Sequence, residues 1–125
     1  MSSLPPGAPD SAVELTPGPE DVKIINLARS ALVRTSARQG ACVRDTDGRS
    51  YAAASVTLDH LALSAIQVAV AMAVSSGAPG LEAVALAGAD GPTEDDLAVV
   101  GDLSDTGVVV WDVDLRGAIR STFEL

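Results

Sequence analysis

The side chains that could do chemistry in this sequence are few and lie in short stretches. Asp59-His60 holds the lone histidine. An Asp beside a His can act as an acid/base couple near neutral pH. Adjacent residues on a helix do not face each other, however, and an acidic residue at a helix start stabilises that end of the dipole. Ser64 interrupts the apolar run from Leu61 to Val74, which is otherwise broken only by Gln67. No nucleophile-elbow pattern surrounds it, and small hydroxyls are common inside tightly packed helices. Pro92-Thr93-Glu94-Asp95-Asp96 offers oxygen ligands for a hard ion through Thr93, Glu94 and Asp96. A capping box with Thr93 as N-cap and Asp96 three places on explains the same residues at lower cost. Asp45-Thr46-Asp47-Gly48 resembles the opening of a calcium loop but lacks its closing Glu, so a turn is the simpler reading. Cys42 sits in a strand-like run and packs there as a small apolar group. Trp111 suits a core or subunit contact better than stacking on a base at the strand end. Asp112 and Asp114 alternate with Val113, which sends at least one of them to solvent or a neighbouring subunit.

Composition restricts what these groups could serve. The 125 residues amount to one domain with one core. Eight Lys+Arg against 17 Asp+Glu, net −9, disfavour a nucleic-acid backbone or an anionic membrane surface as partner. A neutral or cationic small molecule, or another protein, fits better. A single cysteine permits neither an internal disulfide nor a cysteine-based zinc site within one chain. The N-terminus has no secretory pattern, and the apolar run is shorter than the roughly 20 residues that span a bilayer. A soluble, cytoplasmic protein is expected.

The elements that must position these groups follow from periodicity. Residues 1–18, rich in Pro, Ser and Gly, read as a flexible tail, and the domain as 19–125. Ile24, Leu27, Ala28 and Ala31 recur at helical spacing from Pro19 to about Thr35. Two short runs around Thr46-Asp47-Gly48 form a hairpin. A helix is expected from about Leu58 to Ser76, stopped at Gly77 and Pro79, and buried on every side because it is apolar on every side. LEAVALAG (81–88) reads as a strand, PTEDDLAVVGDL as a helix, and GVVVWDV (107–113) as a second continuous apolar strand. Continuous strands interleaved with helices imply a sheet covered on both faces. The order is α-β-β-α-β-α-β.

ARQGACVRDTDGRSYAAASV, a long Ala-rich helix ending AVSSG, and LEAVALAGADG together resemble the small cytidine deaminases over roughly residues 20–125. Those sequences carry a Gly-Ala strand, a Glu/Asp-Gly-Arg turn and a helix ending Ala-Val-Ser-x-Gly. Thr122-Phe123-Glu124-Leu125 is similar to the start of the family's closing segment. The resemblance implies a three-layer α-β-α sandwich with a mixed sheet. Such enzymes bind zinc through the first residue of a Cys/His-Ala-Glu motif and both cysteines of Pro-Cys-x-x-Cys. The zinc activates water, and the Glu carries protons.

Counting back from Ala73-Val74-Ser75-Ser76-Gly77 sets Ser64 at the first zinc ligand and Ile66 at the proton shuttle. Thr93 and Asp96 stand where the two thiolates belong. Two hydroxyls and a carboxylate are a poor set for zinc, which prefers thiolate and imidazole. Ser55-Val56-Thr57 replaces the ribose-holding Asn-x-Glu, and Arg38-Gln39 replaces an aromatic-Pro pair. The implied remnant pocket comprises Ser55, Thr57, Asp59, His60, Ser64, Thr93 and Asp96, with no catalytic residue, no cofactor and zinc expected absent. The resemblance also implies a homo-oligomer, a tetramer by the family's habit. The expectation is a zinc-less binding or assembly module. The alternatives are an enzyme of altered chemistry or nucleoside binding in the remnant pocket, or a regulatory subunit that pairs with an active deaminase or another protein. Arg in place of Lys and abundant Ala, Gly and Val suggest a high-GC bacterium, and degenerate deaminase-like proteins of this kind are familiar from actinobacteria.

Overall fold

The computed structural model describes residues 15–104 and 107–125, so most of the tail expected over 1–18 lies outside the described residues. Helix α1 runs Pro19–Thr35, starting with Pro at its first turn and Glu20 and Asp21 where the dipole favours them. Strands β1 (Gln39–Asp45) and β2 (Ser50–Ala54) form the expected hairpin. Asp45 closes its turn: Oδ1 accepts from the amides of Asp47 and Arg49, both at 2.9 Å, and Oδ2 from the Tyr51 hydroxyl at 2.9 Å. Gly48 takes the left-handed conformation (φ 88°) that the turn requires.

Strands β3 (Val56–Thr57) and β4 (Ala62–Leu63) and helix α2 (Ala65–Ser75) come next, followed by β5 (Leu81–Gly88), α3 (Glu94–Asp102), β6 (Val109–Val113) and β7 (Ile119–Glu124). The main sheet has the order β2-β1-β5-β6-β7. Only β5 and β6 are parallel, joined through α3, and the other neighbours are antiparallel. The sheet is therefore mixed, as the resemblance implies.

Strand alternation sends side chains into two cores. On one face, Cys42, Ala83, Ala85, Ala87, Trp111 and Val113 pack with Ile24, Ile25 and Ala28 of α1. On the other, Ala41, Val43, Val84, Leu86 and Val110 pack with Ala65, Ile66, Ala69, Val70 and Ala73 of α2 and Val100 of α3. Three layers result. Small residues let them approach closely: a Cβ at Gly40 would lie 2.0 Å from the Ala28 carbonyl oxygen. Arg44 ties the α1 side together through Asp21 (3.2 Å) and Glu82 (2.6 Å). Trp111 and Cys42 are core residues, and burial pushes the Cys42 thiol up to about 11.

The structure corrects the sequence reading in three places. The helix expected from about Leu58 begins only at Ala65: α2 spans Ala65–Ser75. Before it, β3 (Val56–Thr57) and β4 (Ala62–Leu63) form a small antiparallel pair, turned at Asp59-His60 with the Leu58 amide on the Leu61 carbonyl (2.8 Å). The physical reason is the cap. Ser64 and Gln67 form a reciprocal capping box that fixes the helix start where the apolar run gives no other boundary. Asp59 is thus not a helix-start residue. Secondly, α2 is not buried on every side, because Met72 (40% exposed) and Val74 (54%) face outward. Thirdly, β7 is an additional strand beyond the expected order, an edge strand whose IRSTFE sequence carries little apolar signal.

Candidate functional site

The starts of α2 and α3 converge beyond the C-terminal end of β5, beside the parallel β5–β6 pair, where open α/β sheets place their crevices. A cavity of about 440 Å³ opens there. Ser64 and Gln67 come from the start of α2, and Thr93, Asp95 and Asp96 from the start of α3. Ser55 and Thr57 come from the end of β2 and from β3, Arg38 and Gln39 from the entry to β1, and Asp90 and Gly91 from the loop after β5.

One continuous hydrogen-bond network joins the two helix starts. The Ser64 amide donates to Gln67 Oε1 (2.8 Å), and the Gln67 amide donates to Ser64 Oγ (3.1 Å). The Thr93 amide donates to Asp96 Oδ2 (3.0 Å), and the Asp96 amide to Thr93 Oγ1 (3.1 Å). Between these boxes the Ser64 hydroxyl donates to Asp96 Oδ1 at 2.6 Å. Each cap satisfies amides that a helix start leaves unpaired, and the short O–H···O bond cross-braces the helices. Asp96 is only 2% exposed, and its carboxylate sits in the favourable field of the α3 N-terminus.

Further braces fix the cavity wall. Arg120 donates to the Ala89 carbonyl (2.8 Å), to Asp112 Oδ1 (2.7 Å) and to the Val113 carbonyl (3.0 Å), and Ser121 donates to Asp112 Oδ2 (2.9 Å). Asp112 is thereby buried against the loop that bears Asp90. Asp114 instead closes the β6–β7 turn, accepting from the amides of Arg116 (2.8 Å) and Ala118 (3.0 Å); the Ala118 bond first holds its carboxyl below the usual range. At the outer rim Arg38 pairs with Asp90 at 2.9 Å, both largely exposed, so the pair contributes little to stability.

Of the residues singled out in the sequence, Ser55, Thr57, Ser64, Thr93 and Asp96 meet at the cavity. Asp59 and His60 do not line it: they are exposed in the β3–β4 turn, since the helix that would have carried them inward starts later. Ile66 is fully buried (0% exposed) in the core beneath, on the side of the sheet away from Trp111. Gln67, Asp90, Gly91 and Asp95 were not singled out as site residues. Gln67 was recoverable, because Ser-x-x-Gln is a capping-box signature. Asp90 and Gly91 carry no local signal.

Among the described residues, no group of three or more His, Cys, Asp or Glu side chains is placed to hold a metal ion. The chemistry of the donor set points the same way for zinc. Ser64 and Thr93 offer neutral hydroxyls, and both Asp96 oxygens already accept hydrogen bonds. Cys42 lies in the opposite core and His60 in the turn, so no thiolate or imidazole reaches the site. These residues do not fit the family's zinc.

The three-layer fold is that of cytidine deaminases. The structure is similar to the crystal structure of cytidine deaminase from Burkholderia pseudomallei, with a TM-score of 0.71 and 20% identity over 82% of this chain and 90% of that one. Cytidine deaminase from Mycobacterium leprae matches with a TM-score of 0.65 and 15% identity, over 82% and 90%. The Mycobacterium tuberculosis enzyme matches at 0.57 and 20%, over 68% and 81%. A search of curated proteins returned no match. The family model described as cytidine deaminase-like matches residues 17–117, and the chain belongs to that family.

Proposed function

We propose that this chain is a zinc-free member of the cytidine deaminase-like family that does not deaminate cytidine and acts in the cytoplasm as an oligomeric binding or assembly module. The observation that carries the reading is the Ser64–Asp96 bond of 2.6 Å within the double capping box. The positions aligned with the metal ligands are occupied by groups that satisfy one another. Ile66, aligned with the proton shuttle, has no ionisable group and is packed in the core. General acid/base catalysis needs a titratable group within hydrogen-bond reach of the reacting atom, and an alkyl chain cannot supply one.

Assembly is supported by the outer face of α2. Met72 and Val74 are exposed there, and Leu58 and Leu61 are exposed in the β3–β4 pair. Exposed apolar side chains of this kind favour contact with another protein surface. By the family's habit that surface belongs to further copies of the chain in a homotetramer, with a different protein partner as the alternative. The net charge of −9 disfavours nucleic acid in either case. No described helix is long and apolar enough to cross a membrane.

The decisive experiment measures zinc by elemental analysis and uridine formation from cytidine on the same purified preparation. The expected result is zinc far below one per chain and no uridine. Stoichiometric zinc with uridine production overturns the proposal. Light scattering after size exclusion tests assembly, and a monomer at micromolar concentration removes that part.

A further inference from the structure

The cavity is lined by polar residue types. Every lining side chain except the bare Gly91 ends in a hydroxyl, amide, carboxylate or guanidinium. A planar base gains about 1–3 kcal/mol from each aromatic face on which it stacks. The chain holds one Trp, one Tyr and one Phe, and none of them is available. Trp111 is buried in the α1-side core, Tyr51 is bonded to Asp45, and Phe123 packs against the α2-side core. No aliphatic side chain lines the cavity either: the apolar part of its wall is made of the methyl and methylene groups of polar residues, which offer no broad face to a flat ring.

The polar groups select in their own right. Three carboxylates, Asp90, Asp95 and Asp96, face the cavity against one guanidinium, and Arg38 is already paired with Asp90. Among the described residues Asp95 and Asp96 have no cationic side-chain partner; the α3 N-terminus offsets part of their charge, and the exposed Asp95 carboxylate is open to a cation in the concave site. The hydroxyls of Thr57 and Thr93 and the Gln67 amide nitrogen donate to no protein acceptor among the described residues, and all three line the cavity. The volume of about 440 Å³ lies in the range of small-molecule sites.

We propose that the cavity binds a small, saturated, hydroxyl-rich ligand bearing one ammonium group, of the amino-sugar class, rather than a planar nucleobase. Its hydroxyls meet the Thr57, Thr93 and Gln67 donors, and its ammonium lies on the Asp95–Asp96 side. This inference rests on the zinc-free reading of the site.

The test is calorimetric titration of the full chain with D-glucosamine, D-glucose and cytidine, on the wild type and on Asp95→Asn. Asp95 is exposed, so the variant retains its fold, which a thermal melt checks. Saturable glucosamine binding is expected, with glucose and cytidine weaker by about tenfold or more and glucosamine weakened about tenfold by Asp95→Asn. Three results overturn the inference: no saturation by glucosamine at about 10 mM, cytidine or glucose binding at least as tightly, or Asp95→Asn without effect. Zinc content and uridine formation are read on the same preparation. Cytidine that binds tightly without turnover overturns the ligand class and leaves the zinc-free reading intact, whereas zinc with turnover overturns both.

Discussion

Removing the Ser64 hydroxyl probes the link between the two helix starts. Ser64→Ala deletes the N-cap acceptor of the Gln67 amide, which costs about 1 kcal/mol. It also deletes the donor to Asp96 Oδ1 at 2.6 Å, a hydrogen bond to a charged group that contributes about 1.5–3 kcal/mol. The sum is about 2.5–4 kcal/mol. At roughly 4 °C per kcal/mol for a domain of this size, Tm falls by about 10–16 °C. Asp96→Ala loses the same cross-link together with its own capping bond to the Thr93 amide. The two variants share one interaction, so the double variant counts its loss once. Urea unfolding of the wild type, both single variants and the double variant gives the coupling free energy directly, and about 1.5–3 kcal/mol is expected. The reasoning is refuted by a coupling below about 0.5 kcal/mol, the level at which independent sites add. Added EDTA is expected to leave all four midpoints where they are.

Three further outcomes follow from other parts of the structure. Gly40→Ala places a Cβ 2.0 Å from the Ala28 carbonyl oxygen and 2.8 Å from the Leu32 amide nitrogen, both backbone atoms that cannot step aside; a loss of about 3 kcal/mol or more is expected by urea titration, and an unchanged midpoint contradicts the packing. Burial opposes ionisation of Asp45, but the Arg49 amide, the Tyr51 hydroxyl and the Asp47 amide outweigh it and hold the carboxyl below its usual range. A depressed folded-state pKa gives stability that is present above the unfolded carboxylate value of about 3.9 and is lost as pH falls through the folded one; the urea midpoint is therefore expected to drop below about pH 4, and to drop less in Asp45→Asn. Replacing Ser64, Thr93 and Asp96 together by Cys is expected to give a chain that retains close to one zinc after desalting, measured by elemental analysis, where the wild type retains far less.

The parts of the fold that could be read in the sequence are those fixed by local chemistry. Pro19-Glu20-Asp21 marks the start of α1, Thr46-Asp47-Gly48 the hairpin turn, and Thr93 with Asp96 the cap of α3, and each lies in the structure where its spacing puts it. The start of α2 is not legible from periodicity, because Leu61–Leu63 and the helix form one apolar run in which a two-residue strand cannot be separated from a buried helix. The Ser64-x-x-Gln67 cap held the missing boundary. The site depends on long-range contacts: Ser64 meets Asp96 across 32 positions, Arg38 meets Asp90 across 52, and Arg120 reaches Ala89 across 31. No local rule encodes such pairings. The family resemblance supplied the positions of Ser64, Thr93 and Asp96, but neither their mutual bonding nor the exposure of Asp59 and His60.

The two helix starts impose a choice that bears on Ser64, Ile66, Thr93 and Asp96 together. The first turns of α2 and α3 present amides that must find acceptors. A thiolate there would need a metal to engage its charge, and the metal would then supply the tie between the helices. Without a metal, a lone cysteine at such a position is a weak cap and leaves the helices untied. Ser64 and Thr93 are better caps, and Asp96 serves twice, accepting the Thr93 amide with one oxygen and the Ser64 hydroxyl with the other. The residues depend on one another: Ser64 without Asp96 lacks its acceptor, and Asp96 without Ser64 keeps the residue-93 amide on one oxygen but has no donor to the other, costly in a site 2% exposed. Ile66 completes the set from below, since a carboxylate there would lie in an apolar core, whereas the buried alkyl chain contributes about 1.5–3 kcal/mol. Stability therefore favours the four residues as a unit, with the cavity above them left polar and open.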